Sequence, residues 1–530
     1  MTKVISQNTK NRYGQYFTPQ IVVDFMISLT NINKTEAILE PSSGKGIFLD
    51  SLKNRGFVDI TAYEIDEKIC DDTVINESFI TANIEKKFDL IIGNPPYIRW
   101  KNLEDELKHE LEDDLLWKRY FNSLCDYSYI FILKSIELLR DGGELIFITP
   151  EYWLNTKHSI TLRNYMVQNG YFEEIIHFNE TPIFEKVNVS TVIFKYIKST
   201  DKNLSKIKLT KYFSGKKLTK ETLESIKNRN SFEYTSYLEI EQFQEDKRWL
   251  LVDDDIKDEL KVFENQCLIK QQNPISLFEN SCELFHTIGD VCDIGNGLVS
   301  GLDKAFQIQR EDLNESEKNH ILKVIKAKDL KPYRYEKITN YIYLNGIKDE
   351  DELKSSFPAF YSHLVDFKDR LEKRYNYNRD IPYWEWVFLR NLNLFSKDQE
   401  RIFVPCKERI SNKDYFRFAL VKNGLYPTQD VTALFKKDGV KESIYYILAL
   451  LNDKRVFDWL SINGVVKGSI VEFSEKPISS IPFRAIDWDD EIDVLFHNEI
   501  VFLCKKCIKE AKYKSKLDKK LDQFFKKEKI

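Results

Sequence analysis

No stretch of the 530-residue chain approaches the roughly 18 consecutive apolar residues needed to cross a bilayer. Met1 to Lys10 is polar and carries no apolar signal region. No membrane segment is therefore expected, and the cytoplasm is the expected location. A basic excess is missing too: 79 Lys and Arg stand against 84 Asp and Glu, a formal net charge of -5. That balance argues against a uniformly basic nucleic-acid binder while leaving room for local basic surfaces. Cysteines are few, 8 in all, and scattered. Only Cys504 and Cys507 have metal-ligand spacing, and neither a second such pair nor a nearby histidine completes a zinc site. No metal is expected, and free thiols in a reducing compartment are the better reading. Internal repeats and long low-complexity tracts are also absent.

The chain is too long for one ordinary core, so two or three domains are expected. Its most distinctive stretch is Phe88 to Tyr97, FDLIIGNPPY. Leu90, Ile91 and Ile92 form a short apolar run of the kind buried in a parallel sheet. The run stops at Gly93, Asn94, Pro95, Pro96 and Tyr97. Proline fixes φ and lacks an N–H, so the chain must leave the sheet there in one rigid shape. Open α/β sheets bind ligands at the carboxyl ends of their strands. Taken alone, the tetrapeptide is equally well a turn that merely ends a strand.

Residues upstream shift that balance. Asn11 to Pro19 reads NRYGQYFTP, with Thr18 placed to cap a helix and Pro19 at its first position. Ile21, Val22, Phe25, Met26 and Leu29 continue as a helical stripe, so by itself this is a helix start with an aromatic lead-in. Ala37 to Leu49 reads as strand, glycine loop and helix, with Glu40, Pro41, Gly44 and Gly46 in the turn. Glycines let a backbone approach a ligand closely. The dinucleotide fingerprint wants a third small residue where Leu49 stands, and the Lys-Ser/Thr pair of a phosphate loop is missing. Neither a nicotinamide cofactor nor ATP is favoured. The next strand, Phe57 to Ile65, ends at Glu64, about 20 residues past the loop, the separation at which a carboxylate accepts hydrogen bonds from a ribose. Alone, Glu64 is a solvated strand-end charge; after a glycine loop the ribose reading is the better one.

Further along, Asp126 to Leu139 reads as an amphipathic helix, Asp141 to Gly143 as a turn and Glu144 to Ile148 as a strand. Ile175 to Phe178 and Val192 to Ile197 read as closing strands. Alternating strands and helices over about 200 residues indicate a doubly wound α/β domain, assigned to residues 1–245. Strand signals weaken over 199–282, which reads as connecting elements with a linker helix region at 246–280. An α+β domain is assigned to 281–485. Its Gly289, Gly295, Gly297 and Gly301 have the spacing of tight β turns. Two basic and aromatic clusters there offer Lys326, Lys328, Lys331, Arg334, Arg374 and Arg379 as phosphate contacts. Such clusters are more often solvated faces. Residues 486–530 form a Lys-rich helical tail with Leu517, Leu521 and Phe524 at helical spacing.

The order of these motifs resembles the class I S-adenosylmethionine-dependent methyltransferases. More narrowly, it resembles the TaqI-type, gamma-class adenine-N6 DNA methyltransferases of restriction-modification systems. The resemblance spans nearly the whole chain and is most specific over residues 11–200. It implies a Rossmann-like methyltransferase sheet, then a target-recognition domain whose opening is similar to Ile288 through Phe306 and whose late landmarks are similar to Leu450 through Asn452 and Ile478 through Pro482. It implies S-adenosyl-L-methionine as cofactor, held by Tyr16, Phe17, Thr18, Glu40, Pro41, Gly44, Gly46, Glu64, Ile65, Ser78, Phe79 and Asn94. The catalytic tetrapeptide is Asn94, Pro95, Pro96 and Tyr97, and the Asp-x-x-x-x-Phe helix is matched by Asp126 through Phe131. Tyr97 and Phe184 are expected to stack a flipped-out adenine, with plain core as the alternative for Phe184. Double-stranded DNA is the implied partner and the chain is expected to act as a monomer. With the cofactor lead near residue 11 there is no room for a fused nuclease, so restriction would come from a separately encoded endonuclease. One departure stands out: the family often has Gly-Asp-Phe where this chain reads Glu77-Ser78-Phe79, and that Asp would contact the cofactor adenine.

The chemistry accounts for the residue types. The N6 lone pair of adenine is delocalised into the ring, so the amine is a poor nucleophile. Two acceptors aimed at its protons, the Asn94 side-chain oxygen and the Pro95 carbonyl, draw the nitrogen towards tetrahedral geometry. Asn serves better than Asp because no charge has to be desolvated. Preorganised dipoles and proximity then supply the acceleration for an in-line methyl transfer. Flipping the base costs a few kcal/mol, and stacking returns about 1–3 kcal/mol per aromatic contact. The same tetrapeptide serves enzymes that methylate RNA amines or protein glutamine amides. A non-catalytic DNA-recognition subunit is the remaining alternative. The C-terminal half favours DNA, and the intact Asn94 and glycine loop favour catalysis.

Overall fold

The computed structural model describes residues 16–70, 72–184, 189–201, 205–268, 286–411, 413–467 and 470–526. Residues 11–15 of the aromatic lead and 185–187 beyond Phe184 lie outside the described residues. Two compact units divide the chain, Met1–Lys257 and Asp258–Ile530.

Nine strands form the sheet of the first unit: β1 (Ile38–Glu40), β2 (Ile60–Glu64), β3 (Ile75–Asn76), β4 (Phe88–Gly93), β5 (Leu139–Pro150), β6 (Gly170–His177), β7 (Thr191–Lys198), β8 (Ile207–Tyr212) and β9 (Thr235–Ile240). Their order is β3-β2-β1-β4-β5-β7-β6-β8-β9. Strands β1 to β5 pair in parallel, while β7 inserts antiparallel between β5 and β6. The helices are α1 (Gln20–Ile27), α2 (Ile47–Asn54), α3 (Asp105–Asp113), α4 (Leu115–Tyr120), α5 (Ser128–Leu138), α6 (Ile160–Asn169) and α7 (Lys220–Lys227).

Side chains alternate across a sheet, so central strands covered on both faces must be apolar throughout. Leu39, Ile91, Leu145 and Phe147 face one side and pack with Leu107 of α3, Ile132 of α5 and Leu162 of α6. Ile38, Leu90, Ile92, Ile146 and Ile148 face the other and pack with Val22 of α1, Phe48 of α2 and Leu223 of α7. The unit is thus doubly wound, with one core on each face. Burying each such Leu or Ile contributes about 1.5–3 kcal/mol. Asp89 ties three strands together at one end of the sheet: its carboxylate accepts from the Ala37 amide at 2.8 Å and pairs with Arg140 at 2.6 Å.

Several local expectations are corrected. The Asp141 to Gly143 turn is a bulge inside β5: Phe88 pairs with Leu139 but Leu90 with Glu144, so the intervening residues loop out, with Gly142 at φ +78°. Helix α1 begins at Gln20 and gains no side-chain cap from Thr18, whose hydroxyl is engaged elsewhere. Residues 199–282 are more than connectors, because β8 and β9 extend the sheet. Their apolar signal is weak because β9 is an edge strand in which only Ile240 is buried. The glycines near 290 do not make a series of turns. Gly289 lies in the short helix Ile288–Val291 and Gly295 in the strand Cys292–Asn296. Gly297 allows close backbone approach, since a Cβ there would sit 2.1 Å from the Thr428 carbonyl.

The second unit has an α+β arrangement. Its four-stranded sheet, Cys292–Asn296, Val431–Lys436, Arg401–Pro405 and Ala419–Val421, is antiparallel. Helices Ile444–Leu451, Lys454–Asn463, Glu491–Lys509 and Lys514–Lys526 share one core beside it. The last two fold back on each other: Lys520 pairs with Glu499 at 2.6 Å and the Phe524 ring packs on Phe496. The Lys-rich tail is therefore part of this core, with Leu517, Leu521 and Phe524 buried. Cys504 and Cys507 are buried in it as well, and burial pushes the Cys507 thiol up to about 11. Among the described residues no helix is long and apolar enough to cross a membrane, and no group of three or more His, Cys, Asp and Glu is placed to hold a metal.

The β6–β7 pairing depends on a missing side chain. A Cβ on Gly170 would lie 2.1 Å from the Ile197 carbonyl. Gly170→Ala is expected to destabilise the first unit by about 1–3 kcal/mol through overpacking, read as an earlier urea transition.

Candidate active site

Strand order reverses between β1 and β4: from β1 the sheet runs outward through β2 to β3, and from β4 outward to β5. Loops leaving adjacent strands at such a point diverge and open a crevice at the carboxyl ends. The glycine loop follows β1 and the Asn-Pro-Pro-Tyr tetrapeptide follows β4, so both line that crevice.

The glycine loop is held from β2. Gly44 and Gly46 adopt φ +56° and +75°, a region that L side chains rarely enter. Glu64, at the end of β2, accepts from the Gly44 amide at 2.7 Å through one oxygen and from the Asp66 amide at 2.9 Å through the other. Burial pushes its pKa up and those amides partly offset the shift. Glu40 is fully buried, and neither carboxylate oxygen makes a hydrogen bond of ordinary geometry. Burial drives it well above the usual carboxylate range. An unsatisfied buried carboxylate beside a glycine loop is a site for a donor or a cation.

Asn94 is oriented by the aromatic lead. Its side-chain NH₂ donates to the Tyr16 carbonyl at 2.6 Å and to Thr18 Oγ1 at 3.1 Å. Both donors are thereby used, and Oδ1 points the other way, against the Tyr97 hydroxyl. That hydroxyl also meets the Ile148 carbonyl. Burial raises the Tyr97 pKa well above its ordinary value, with Asp126 and Tyr16 adding to it, so Tyr97 stays neutral. The Ser42 hydroxyl donates to the Asn94 carbonyl at 3.1 Å and ties the two loops together.

Two pockets meet at Tyr16. The first is lined by every residue expected at the cofactor, namely Tyr16, Phe17, Thr18, Glu40, Pro41, Gly44, Glu64, Ile65, Ser78, Phe79 and Asn94, except Gly46, which leads into α2. The second brings together Tyr97 and Phe184, the two expected stacking rings, with Tyr16, Asp126 and Tyr152. Tyr16 stacks on Tyr97 at 6.0 Å and 18° and lies tilted against Phe184 at 6.1 Å. Pro96 lines the first pocket, whereas Pro95 is buried and lines neither.

Several lining residues lie outside the motifs that the sequence marks. Leu107 and Tyr127 close the first pocket, and Arg99, Lys101 and Lys108 line the second. Arg99 and Lys101 come just after the tetrapeptide, which was a signal available in the sequence. Tyr152 carried none: it lies just past β5, and its hydroxyl donates to the buried Asp126 at 2.7 Å. Two of the six cations expected at phosphates are corrected. Lys326 pairs with Asp303 and, at 3.1 Å, with Asp430. Arg374 is half-buried and donates to the Ser300 and Pro382 carbonyls at 3.1 Å. Both are consumed by internal partners that sequence distance conceals. Lys328, Arg334 and Arg379 are exposed, as is Lys331, whose ammonium lies 3.7 Å from Glu336.

A doubly wound sheet carrying these loops at its switch point defines a class I methyltransferase architecture. Residues 7–184 match the family model described as Eco57I restriction-modification methylase. Over 511 residues the chain is 48% identical to the type II methyltransferase M.HindII of Haemophilus influenzae, covering 96% of each chain. It is 46% identical to M.HincII of Haemophilus influenzae over 511 residues, again covering 96% of each. The solved structure of the Type IIL restriction-modification enzyme MmeI in complex with DNA shares the fold, with a TM-score of 0.58 at 13% identity over 96% of this chain and 73% of that one. The chain belongs to the type II DNA methyltransferases of restriction-modification systems.

Thr18→Val removes one acceptor from the Asn94 amide and keeps the shape of the buried side chain. The methylation rate on DNA is expected to fall about tenfold, the equivalent of one hydrogen bond of roughly 1–1.5 kcal/mol, as measured by single-turnover kinetics.

Proposed function

We propose that this enzyme transfers a methyl group from S-adenosyl-L-methionine to N6 of a flipped-out adenine within a specific sequence of double-stranded DNA. The observation that carries the reading is the Asn94 amide, whose donors are both occupied so that its oxygen faces the second pocket's Tyr97. The first pocket fits the cofactor's chemistry. The unsatisfied Glu40 carboxylate suits the positive charge of an amino-acid end, and Glu64 suits two ribose hydroxyls. When bound, S-adenosylmethionine supplies an electrophilic sulfonium methyl.

The remaining steps belong to the chain. Asn94 Oδ1 and the Pro95 carbonyl accept the two N6 protons, exposing a lone pair on the nitrogen. A base amine takes the place of the Tyr97 hydroxyl at Oδ1, and the Tyr97 and Phe184 rings stack the base. Tyr16, now lying against both rings, yields that space. Asn at position 94 favours adenine, since the enzymes acting on cytosine N4 usually begin this motif with Ser. The second unit supplies sequence recognition, with Lys328, Lys331, Arg334 and Arg379 at phosphates. The enzyme acts as a monomer in the cytoplasm, and a separately encoded endonuclease performs any restriction.

Long-read sequencing of DNA from a host expressing the enzyme tests this directly. N6-methyladenine at one recurring motif is expected; N4-methylcytosine, or no modified DNA base, overturns the reading. Asn94→Ala is expected to keep cofactor and DNA binding in titrations while methyl transfer falls at least about 10²–10³-fold, the effect of removing one preorganised polar group. Near-normal turnover by that variant would sink the mechanism.

A further inference from the structure

The strand order gives the first pocket a direction. Asn94 follows β4, the glycine loop follows β1, Glu64 ends β2 and Ser78 lies just beyond β3, and these strands are neighbours in the order β4-β1-β2-β3. A nucleoside with its reacting end at Asn94 and its ribose at Glu64 carries its base towards Ser78. The lining there includes Ile65, Phe79, Leu107 and Phe131, an apolar slot for a flat ring. An adenine in it presents an exocyclic amine, which needs an acceptor, and a serine hydroxyl is a weak one.

Ser78 is not alone. It is 7% exposed, and its hydroxyl donates to Glu110 Oε2 at 2.9 Å. Glu110 sits on α3, one turn beyond the pocket-lining Leu107. Burial raises its pKa and the Ser78 hydrogen bond partly offsets that. Its second oxygen has no protein donor among the described residues. Glu110 itself lines neither pocket; the bond from Ser78, which lines the first, keeps Oε2 2.9 Å behind a hydroxyl that forms the slot's wall beside Tyr127.

We propose that Glu110, held by the Ser78 hydroxyl, recognises the exocyclic amine of the cofactor's adenine, a task that falls to a carboxylate at position 78 in much of the family. The acceptor has moved from a strand end to helix α3. That helix also lines the second pocket through Asp105 and Lys108, so adenine recognition and the substrate pocket share one element. The proposal rests on reading the first pocket as the S-adenosylmethionine site.

Calorimetric titration with S-adenosylhomocysteine and its 6-oxo analogue S-inosylhomocysteine separates the two. A 6-oxo group repels a carboxylate and accepts from an amide. The unsubstituted enzyme is expected to prefer the adenosyl ligand at least about tenfold, as for a charge-assisted hydrogen bond. Glu110→Gln is expected to weaken adenosyl binding by a similar factor and to narrow or reverse the preference. Adding Ser78→Asp to Glu110→Gln returns a carboxylate to the slot and is expected to restore the preference, which a merely structural role for Glu110 would not produce. An unchanged preference in Glu110→Gln, with the fold intact by circular dichroism, overturns the assignment of Glu110 and leaves the pocket reading standing. Failure of the unsubstituted enzyme to bind S-adenosylhomocysteine overturns both.

Discussion

The reversal of strand order between β1 and β4 is the constraint on which the site depends. Parallel strands must be joined by crossovers, and where the winding changes direction the two outgoing loops cannot cover the same ground. The gap is left by backbone geometry before any side chain is chosen. What the side chains do is keep the gap rigid. Asp89 clamps β1, β4 and β5 at the opposite end of the strands. Apolar residues on both faces of the central strands leave them one register, since a slip of one residue would exchange the two faces of the sheet. Loops anchored on such strands are positioned to within the tolerance that polar catalysis requires.

Polar groups then link segments far apart in the chain. Glu64 holds the glycine loop from the next strand, Ser42 holds the tetrapeptide from the glycine loop, and Asn94 holds the aromatic lead. The Asn94 amide is the centre of this set, because satisfying its two donors is what aims its oxygen. Glu40, Glu64 and Asp126 are buried carboxylates whose pKa values burial raises. Such groups are costly in an empty site and favourable once a partner supplies donors or positive charge, which is why perturbed acids gather where ligands bind.

Much of this was legible from residue order. Strands β1 and β4 announce themselves because strands buried on both faces are short apolar runs, and the motifs at the ends of β1, β2 and β4 follow at the spacing a βαβ crossover demands. The family resemblance rests on those same residues. Other features were not legible for identifiable reasons. Strand β9 lies at the sheet's edge, where half-exposed positions dilute the apolar signal, and β8 beside it carries Lys and Thr among its buried apolar residues. Thr18 has the look of a helix cap, yet its hydroxyl serves Asn94, 76 residues away. Lys326 and Arg374 have the look of surface cations, yet carboxylates and backbone carbonyls from other segments claim them. The helical tail reads as an appendage, yet its apolar stripe completes the second unit's core.

The sequence by itself determined the identity of the machinery: a glycine loop, a strand-end acid and an Asn-Pro-Pro-Tyr turn in the order of a methyltransferase. These are local properties, set by which residues can take a positive φ, leave a sheet or present an amide. Only the tertiary structure decided which atoms of that machinery face one another. It turned the Asn94 oxygen towards Tyr97, put Tyr16 between two pockets and brought Glu110 to Ser78 across 32 residues. Hydrogen-bond partners are chosen by proximity in space, and proximity in space is set by how strands and helices pack, which no local pattern records.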